Sequence, residues 1–293
     1  LCKPRTVKCA YINDNAGQYP VRLLCKMLNI AKSTYYDWLY KPVSKRDKKQ
    51  QELDEMIKII FIEHKRRYGA VRITKELKAR AVPCTRKMVS NRMKALKLVP
   101  KAKRKFKVTT DSNHNKPIAP NILQQDFAAY KPNQKWVTDI TYIPTEEGWL
   151  YLCVFIDLYS RAVIGWSMSD RLKAELVENA LAMALFRRKF PTEVIVHSDR
   201  GIQYCSSSYQ DLLNNNGLIC SMSSVGCCYD NAAMESFFHT LKVELVHDER
   251  YETRRIAKSS IVEYIECYYN RKRMHSAINY MTPIQFELMG NIA

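Results

Sequence analysis

No stretch of this 293-residue chain approaches the roughly 18 consecutive apolar residues that a membrane-spanning helix needs. The opening residues, Leu1-Cys-Lys-Pro-Arg5, lead into no long apolar segment, so no secretory signal is expected there. There are ten cysteines, but no CxxC pair among them, and the six histidines are scattered. That removes the usual ligand spacing of a structural zinc. The cysteines are equally dispersed, several within apolar runs, so a disulfide framework is not expected either. With 46% apolar and 11% aromatic residues, the chain can still bury a sizeable core, and its length predicts two or three domains. A cytoplasmic location follows from these exclusions as an expectation.

Positive charge is what the sequence has in excess, and it is unevenly placed. The net charge is +18. Residues 1–130 hold 30 Lys and Arg against 10 Asp and Glu, while residues 131–293 hold 17 against 19. A basic part joined to a neutral part points to a polyanion-binding module attached to something else, with nucleic acid the first candidate. An anionic membrane surface is the weaker alternative, because no basic amphipathic helix carries a large aromatic face.

Within the basic part, residues 19–40 read as two short helices with Asn29 at the turn. Ser33 is expected to cap the second, which carries Thr34, Tyr35, Tyr36 and Trp38. This is helix-turn-helix spacing, with Ser33, Thr34 and Tyr35 as candidate DNA contacts; an ordinary helical hairpin is the plain alternative. Lys45 to Gln51 reads as a charged linker. A second helical group spans 52–98, with Leu53, Met56, Ile57, Ile60 and Phe61 on one face and a break at Lys65–Gly69. Its last helix has Thr85 as N-cap and a basic face of Arg86, Lys87, Arg92 and Lys94 suited to phosphates, or simply to solvent. Residues 101–133 form a polar, basic linker expected to track DNA.

From residue 134 the pattern alternates. Strands are expected over 136–143, 149–157 and 162–169, joined by short turns into an antiparallel meander. A helix over 173–188, a strand over 193–198, a helix over 206–216 and a strand over 218–223 follow. Asp139 stands inside the first strand and Asp199 at the end of the fourth, where Gly201 breaks the chain. A carboxylate in a strand pattern is costly unless something pairs with it. Asp230-Asn-Ala-Ala-Met-Glu235 then opens an amphipathic helix, with Asp230 or Asn231 as cap and Phe238, Leu241 and Leu245 on its apolar stripe. Glu235, His239 and Lys242 fall on a second stripe about 90° round. Three carboxylates brought together would repel one another unless cations sit among them, and oxygen-only ligands favour Mg²⁺ or Mn²⁺. Other acids have plainer roles: Asp157 as a turn cap, Glu244 off the stripe of Glu235. His197 faces the same side as Asp199, either orienting a ligand or satisfied by hydrogen bonds. A helix over 253–270 closes the chain, followed by a basic tail, Asn270 to His275, expected to touch DNA.

Between Asp139 and Asp199 lie 59 residues, and between Asp199 and Glu235 lie 35. This resembles the D,D(35)E catalytic core of retroviral integrases and insertion-element transposases. The likeness extends to Gln134-Lys-Trp-Val-Thr-Asp139-Ile-Thr-Tyr, Asp157-Leu-Tyr-Ser-Arg161, His197-Ser-Asp199-Arg-Gly-Ile-Gln-Tyr204, Asp230-Asn-Ala-Ala-Met-Glu235-Ser-Phe-Phe, Tyr269-Asn-Arg and His275-Ser-Ala-Ile-Asn-Tyr-Met-Thr-Pro283. Over nearly its whole length the chain is similar to the OrfB product of two-frame insertion sequences.

The resemblance implies an α/β, ribonuclease H-like core, a five-stranded mixed sheet with flanking helices, preceded by all-α helix-turn-helix modules. The corresponding division is 1–50 and 51–100 for two such modules, 101–133 for the linker and 134–293 for the core. It implies cleavage and strand transfer of double-stranded DNA, with Asp139, Asp199 and Glu235 catalytic and holding two Mg²⁺ or Mn²⁺ ions. Lys242 corresponds to a contact with the terminal phosphate of the element end; the alternative is a surface lysine. It implies a bacterial, nucleoid-associated enzyme, a homo-oligomer on DNA and an upstream-frame partner or fusion segment. Nothing here resembles the nucleophile and clustered arginines of a Tyr or Ser recombinase. The sequence departs from the family at Ser224-Val225, where basic residues are usual, and at Cys227-Cys228, where a small-residue turn is usual. A catalytically inactive, DNA-binding regulator is the alternative function.

Overall fold

The computed structural model describes residues 4–40, 44–101, 118–224 and 228–290. Three helices open it: α1 (Arg5–Asn15), α2 (Val21–Met27) and α3 (Lys32–Tyr40). They close on a small core of Cys9, Ile12, Leu24, Cys25 and Tyr35. Asn29 makes the α2–α3 turn in the left-handed region, φ 53°, which Asn tolerates better than most residues. The Lys8 ammonium clasps α1 to that turn through the Leu28 carbonyl, 3.0 Å away. Two expectations change here. Ser33 lies inside α3 and does not cap it, and Tyr35, only 2% exposed, is part of the core and cannot reach a groove. α1 has no counterpart in the sequence reading, because it buries only Cys9 and Ile12 and so has little apolar periodicity.

The second group is α4 (Lys45–Glu63), α5 (Ala70–Ala79) and α6 (Arg86–Ala95). The charged stretch 45–51 is the start of α4 rather than a linker. Ser44 caps it by accepting from the Asp47 amide at 3.0 Å, and Asp47 sits favourably in the first turn. Lys65 and Arg66 both take left-handed backbone and end the helix. Thr85 caps α6 as expected, accepting from Met88 N at 3.2 Å. Leu53, Ile57, Ile60 and Phe61 of α4 pack with Ile73, Leu77, Val89 and Met93.

The sheet has strand order β3-β2-β1-β4-β5. Its strands are β1 (Lys135–Thr145), β2 (Gly148–Asp157), β3 (Val163–Ser169), β4 (Ile195–Ser198) and β5 (Ile219–Met222). β1, β2 and β3 form the antiparallel meander, and β4 and β5 add parallel. Both faces are covered, and β2 shows how. Leu150, Leu152, Val154 and Ile156 join the core that holds α4–α6, whereas the alternating Cys153 and Phe155 enter a second core with Trp136 and Ile164. The second core is closed by α7 (Ala174–Arg187) and α8 (Ser207–Asn215). α7 crosses β3 at Gly165, where an added Cβ would stand 2.3 Å from the Ala180 carbonyl.

On the other face lie α9 (Ala232–Glu244) and α10 (Arg254–Val262). α10 continues as a π-helical segment, Glu263–Tyr269, so the single helix expected over 253–270 widens midway. α11 (Pro283–Gly290) ends the described chain. The basic tail is partly interior: Arg273, 5% exposed, is bound by Glu244 at 2.8 Å. Lys101, at the edge of the expected linker, pairs with Asp248 at 3.0 Å. The rest of its cationic run, 102–117, lies outside the described residues, as do Val225 and Cys227.

Candidate catalytic site

β1 and β4 run parallel with Lys135 beside Ile195, Trp136 beside Val196 and Val137 beside His197. Continued along the chain, the same register brings Asp139 level with Asp199, one residue past the end of β4. Each carboxylate is held by a neighbouring amide. Asp139 Oδ1 accepts from Ile140 N at 2.7 Å, and Asp199 Oδ1 accepts from Gly201 N at 2.9 Å. A Cβ on Gly201 would come within 3.0 Å of that same carboxylate oxygen, so the glycine permits the close turn.

Glu235 lies in the first turn of α9 and is exposed. α9 packs on β1, and Asn231 just before it donates from Nδ2 to the Thr138 carbonyl at 3.2 Å. That bond ties the start of the helix to the residue preceding Asp139. Asn231 stands at the N-cap of α9 without a side-chain capping bond. Asp230 instead accepts from Ser224 N at 2.7 Å, Asn121 at 2.9 Å and Gln125 at 2.8 Å. It binds the segment before β1 to the turn before α9.

Electrostatics join the three acids. Burial, then the Asp199 carboxylate, push the Asp139 carboxyl well above the usual carboxylate range; Glu235 adds to the push and Lys242 opposes it. Lys242, half-buried, is drawn down by that burial and held up by Asp139. Asp139, Asp199, Glu235 and Lys242 therefore share one local field. Among the described residues, no three acid, His or Cys side chains lie close enough together to hold a metal ion. The arrangement is open, with Asp139 and Asp199 in opposition and Glu235 at the rim. An oxygen-only, self-repelling set of this kind is chemically suited to a hard divalent cation.

The support beneath Asp139 is buried and hydrogen-bonded. Thr138 Oγ1 and the Tyr204 hydroxyl are 3.1 Å apart, and burial pushes the Cys153 thiol up to about 12. His197 is fully buried, with Nδ1 2.9 Å from Ser221 Oγ and Nε2 3.2 Å from Ser223 Oγ. Of its two readings, the satisfied one holds. Asp157 accepts from Asn133 N and Tyr159 N, at 2.9 and 3.0 Å, with Arg188 3.5 Å away, so it organises turns as expected. Sequence reasoning missed Asn231 and Gly201 as positioning residues. The Asp-Arg-Gly spacing was the available signal for Gly201; Asn231 had none, because its bond crosses between distant segments.

The expected DNA contacts divide. Arg86, Lys87 and Lys94 are exposed on α6, Ser33 is exposed on α3, and Thr34 is half-buried. Arg92 instead makes a two-pronged pair with Asp54, at 2.7 and 2.6 Å. Its guanidinium fastens α6 to α4.

Residues 129–228 and 235–290 match two models of an integrase core domain, and residues 47–106 match a model of an HTH-like domain. With the mixed sheet, these define a protein with an integrase catalytic core and an HTH-like helical region before it. The transposase InsF of insertion sequence IS3A from Escherichia coli K12 is 47% identical over 283 residues, spanning 96% of this chain and 98% of its own length. The 31 kDa protein of insertion element IS600 from Shigella sonnei is 43% identical over 263 residues, spanning 90% of this chain and 97% of its own. The chain belongs to the IS3-family transposases. Among solved structures, a chain of the simian T-cell lymphotropic virus intasome aligns over 79% of this chain and 74% of its own, with a TM-score of 0.47 and 16% identity. The HTLV-2 integrase catalytic core in complex with magnesium aligns over 55% and 99%, with a TM-score of 0.41 and 16% identity.

Proposed function

We propose that this transposase cuts and joins DNA strands directly at Asp139, Asp199 and Glu235, which hold two Mg²⁺ or Mn²⁺ ions. The observation that carries the reading is the opposition of Asp139 and Asp199 at the parallel β1–β4 seam, with Glu235 and Lys242 in the same field. Cations placed there would activate an attacking oxygen and neutralise charge on the leaving one. The chain's own residues do the rest. Asp139, Asp199 and Glu235, the last presented on α9, would hold the ions between them. The Ile140 and Gly201 amides fix the two aspartates. Lys242 holds the terminal phosphate near Asp139. No covalent protein–DNA intermediate is involved.

Duplex DNA reaches this site through the exposed cations Arg86 and Lys87 of α6, with the Ser33 and Thr34 hydroxyls of α3 as further contacts. Arg92 and Tyr35 are withdrawn from that set. Residues 1–50 and 51–100 act as DNA-binding modules, 101–133 as their connection and 134–293 as the catalytic unit. Joining two ends of one element calls for at least two copies on DNA, and an upstream-frame segment supplies further end recognition. The setting is the bacterial nucleoid.

A Mn²⁺ titration followed by electron paramagnetic resonance tests the site without DNA chemistry. Wild type is expected to bind about two ions per chain, and Asp199→Asn about one fewer, with duplex affinity unchanged. Wild-type protein that binds no Mn²⁺ near the acids, even with duplex present, would sink the reading.

A further inference from the structure

Beside the acid cluster, α9 forms the wall of a second feature, a cavity of about 610 Å³. Its lining includes Arg67, Arg72 and Lys101 from the helical region and Arg161 and Arg273 from the core, against the single carboxylate of Glu244. Ser236 and Thr240 of α9 also line it, so it opens on the flank next to the one bearing Glu235 and Lys242.

Its charges are only partly matched. Glu244 is shared by Arg273 at 2.8 Å and Arg72 at 3.9 Å. Lys101 is paired with Asp248. Arg67, 8% exposed, gives its Nε proton to the Glu244 carbonyl at 3.1 Å and lies over the Tyr268 ring at 4.2 Å, but meets no carboxylate among the described residues. Among the described residues, the Arg161 guanidinium is influenced by the Tyr269 hydroxyl and by no carboxylate. Arg161 stands in left-handed backbone, φ 63°, just beyond β2, an arrangement that is strained for a residue with a Cβ. Burial draws the Arg161 and Arg72 guanidiniums down from their ordinary range. Several half-buried guanidiniums crowded around one carboxylate repel one another unless an anion completes the set. The planar fork of arginine matches phosphate oxygens better than any other common anion.

We propose that this cavity is a second phosphate-binding site, separate from the acid cluster, in which Arg161 and Arg67 take the backbone phosphate of a nucleic acid strand or the phosphates of a free polyphosphate. Position favours the nucleic acid. The lining comes from both the HTH-like region and the integrase core, and a strand leaving Glu235 across α9 meets the cavity next. Only that choice of source rests on the DNA reading above. The anion site itself does not.

Labelling of the full-length protein by phenylglyoxal, read residue by residue by mass spectrometry, tests it with inorganic tripolyphosphate and with a duplex as separate protectants. Both are expected to slow modification of Arg161 several-fold. Arg161→Gln is expected to lower the slope of log affinity for duplex against log salt by about 1, and Arg161→Lys to restore most of it. Protection by tripolyphosphate alone, with an unchanged salt slope, would overturn the nucleic-acid source and leave a polyphosphate site. No protection of Arg161 by either reagent would overturn the proposal. Labelling is done on wild type, so a variant that fails to fold does not remove the test. Strand joining is never read, so a failure of the transposition mechanism and a failure of this site are separable.

Discussion

At the scale of single residues, the same chemistry gives opposite roles depending on what lies within reach. Glu235 and Glu244 stand on one helix. The first is exposed beside two aspartates, and the second is buried under Arg273, Arg72 and the Tyr264 hydroxyl, 2.8 Å away. Removing a buried partner leaves a charge uncompensated, so Glu244→Gln is expected to cost about 3–5 kcal/mol in chemical denaturation. A loss below about 1 kcal/mol would mean that water already screens Arg273. Lys87 and Arg92 differ in the same way on α6. Lys87→Ala is expected to lower the salt slope of duplex binding by about 1 with stability unchanged. Arg92→Ala is expected to do the reverse, because its pair with Asp54 is internal to the fold.

His197 adds a pH dependence. Burial pushes its imidazole down to about 4. The unfolded chain, with an ordinary histidine near 6.5, therefore binds more protons than the folded one between about pH 4 and 6.5. Stability rises with pH across that window and is lost as the solution is acidified through it. His197→Gln is expected to flatten the pH–stability curve there by an amount on the order of 3 kcal/mol. An unchanged slope would show that Asp230 or a solvent path already accommodates the charged ring.

At the scale of elements, what could be read from sequence followed from period and punctuation. β2 alternates between two cores, α7 and α9 are long and periodic, and Thr85 marks the start of α6. The expected strands match to within about two residues. The misreadings have physical causes. Residues 45–51 are polar on every side, so no apolar stripe betrayed the start of α4, and only the Ser44 cap distinguished it from a linker. α1 buries two residues and was silent. The π segment Glu263–Tyr269 shifts the hydrogen-bond period without changing residue types, so a smooth helix was the natural expectation. Tyr35 looked like a reader of bases because aromatic residues crowd α3, but nothing in the string says which of them turns inward. Close element packing is testable at Gly165. Gly165→Ala places a methyl against the α7 backbone and is expected to cost at least about 1–3 kcal/mol by overpacking. A neutral effect would mean that α7 moves freely on β3.

At the scale of the whole molecule, a parallel strand pair sets Asp139 level with Asp199, and one packed helix carries Glu235 into their field. The order of the acids, their intervals and the words around them were legible, and they led to the fold family. Less legible was everything made by contacts between distant segments: the Asn231 bond to β1, Asp230 as a clasp, and the arginines gathered around Glu244. Those depend on which surfaces meet, which no local pattern encodes. Of the seven contacts proposed for DNA, Arg86, Lys87 and Ser33 are exposed, Thr34 and Lys242 are half-buried, and Arg92 and Tyr35 are taken up by internal contacts.

The central claim is that Asp139, Asp199 and Glu235 run metal-dependent strand transfer. It is met most directly by incubating the protein with a labelled duplex carrying its element's own end, plus Mg²⁺ or Mn²⁺, and resolving the products on a denaturing gel. A strand-joined product is expected from wild type. It should vanish with chelator and fall at least about 100-fold in Glu235→Gln, with duplex binding retained. Joining that persists at the wild-type rate in Glu235→Gln, or in the presence of chelator, would contradict the account.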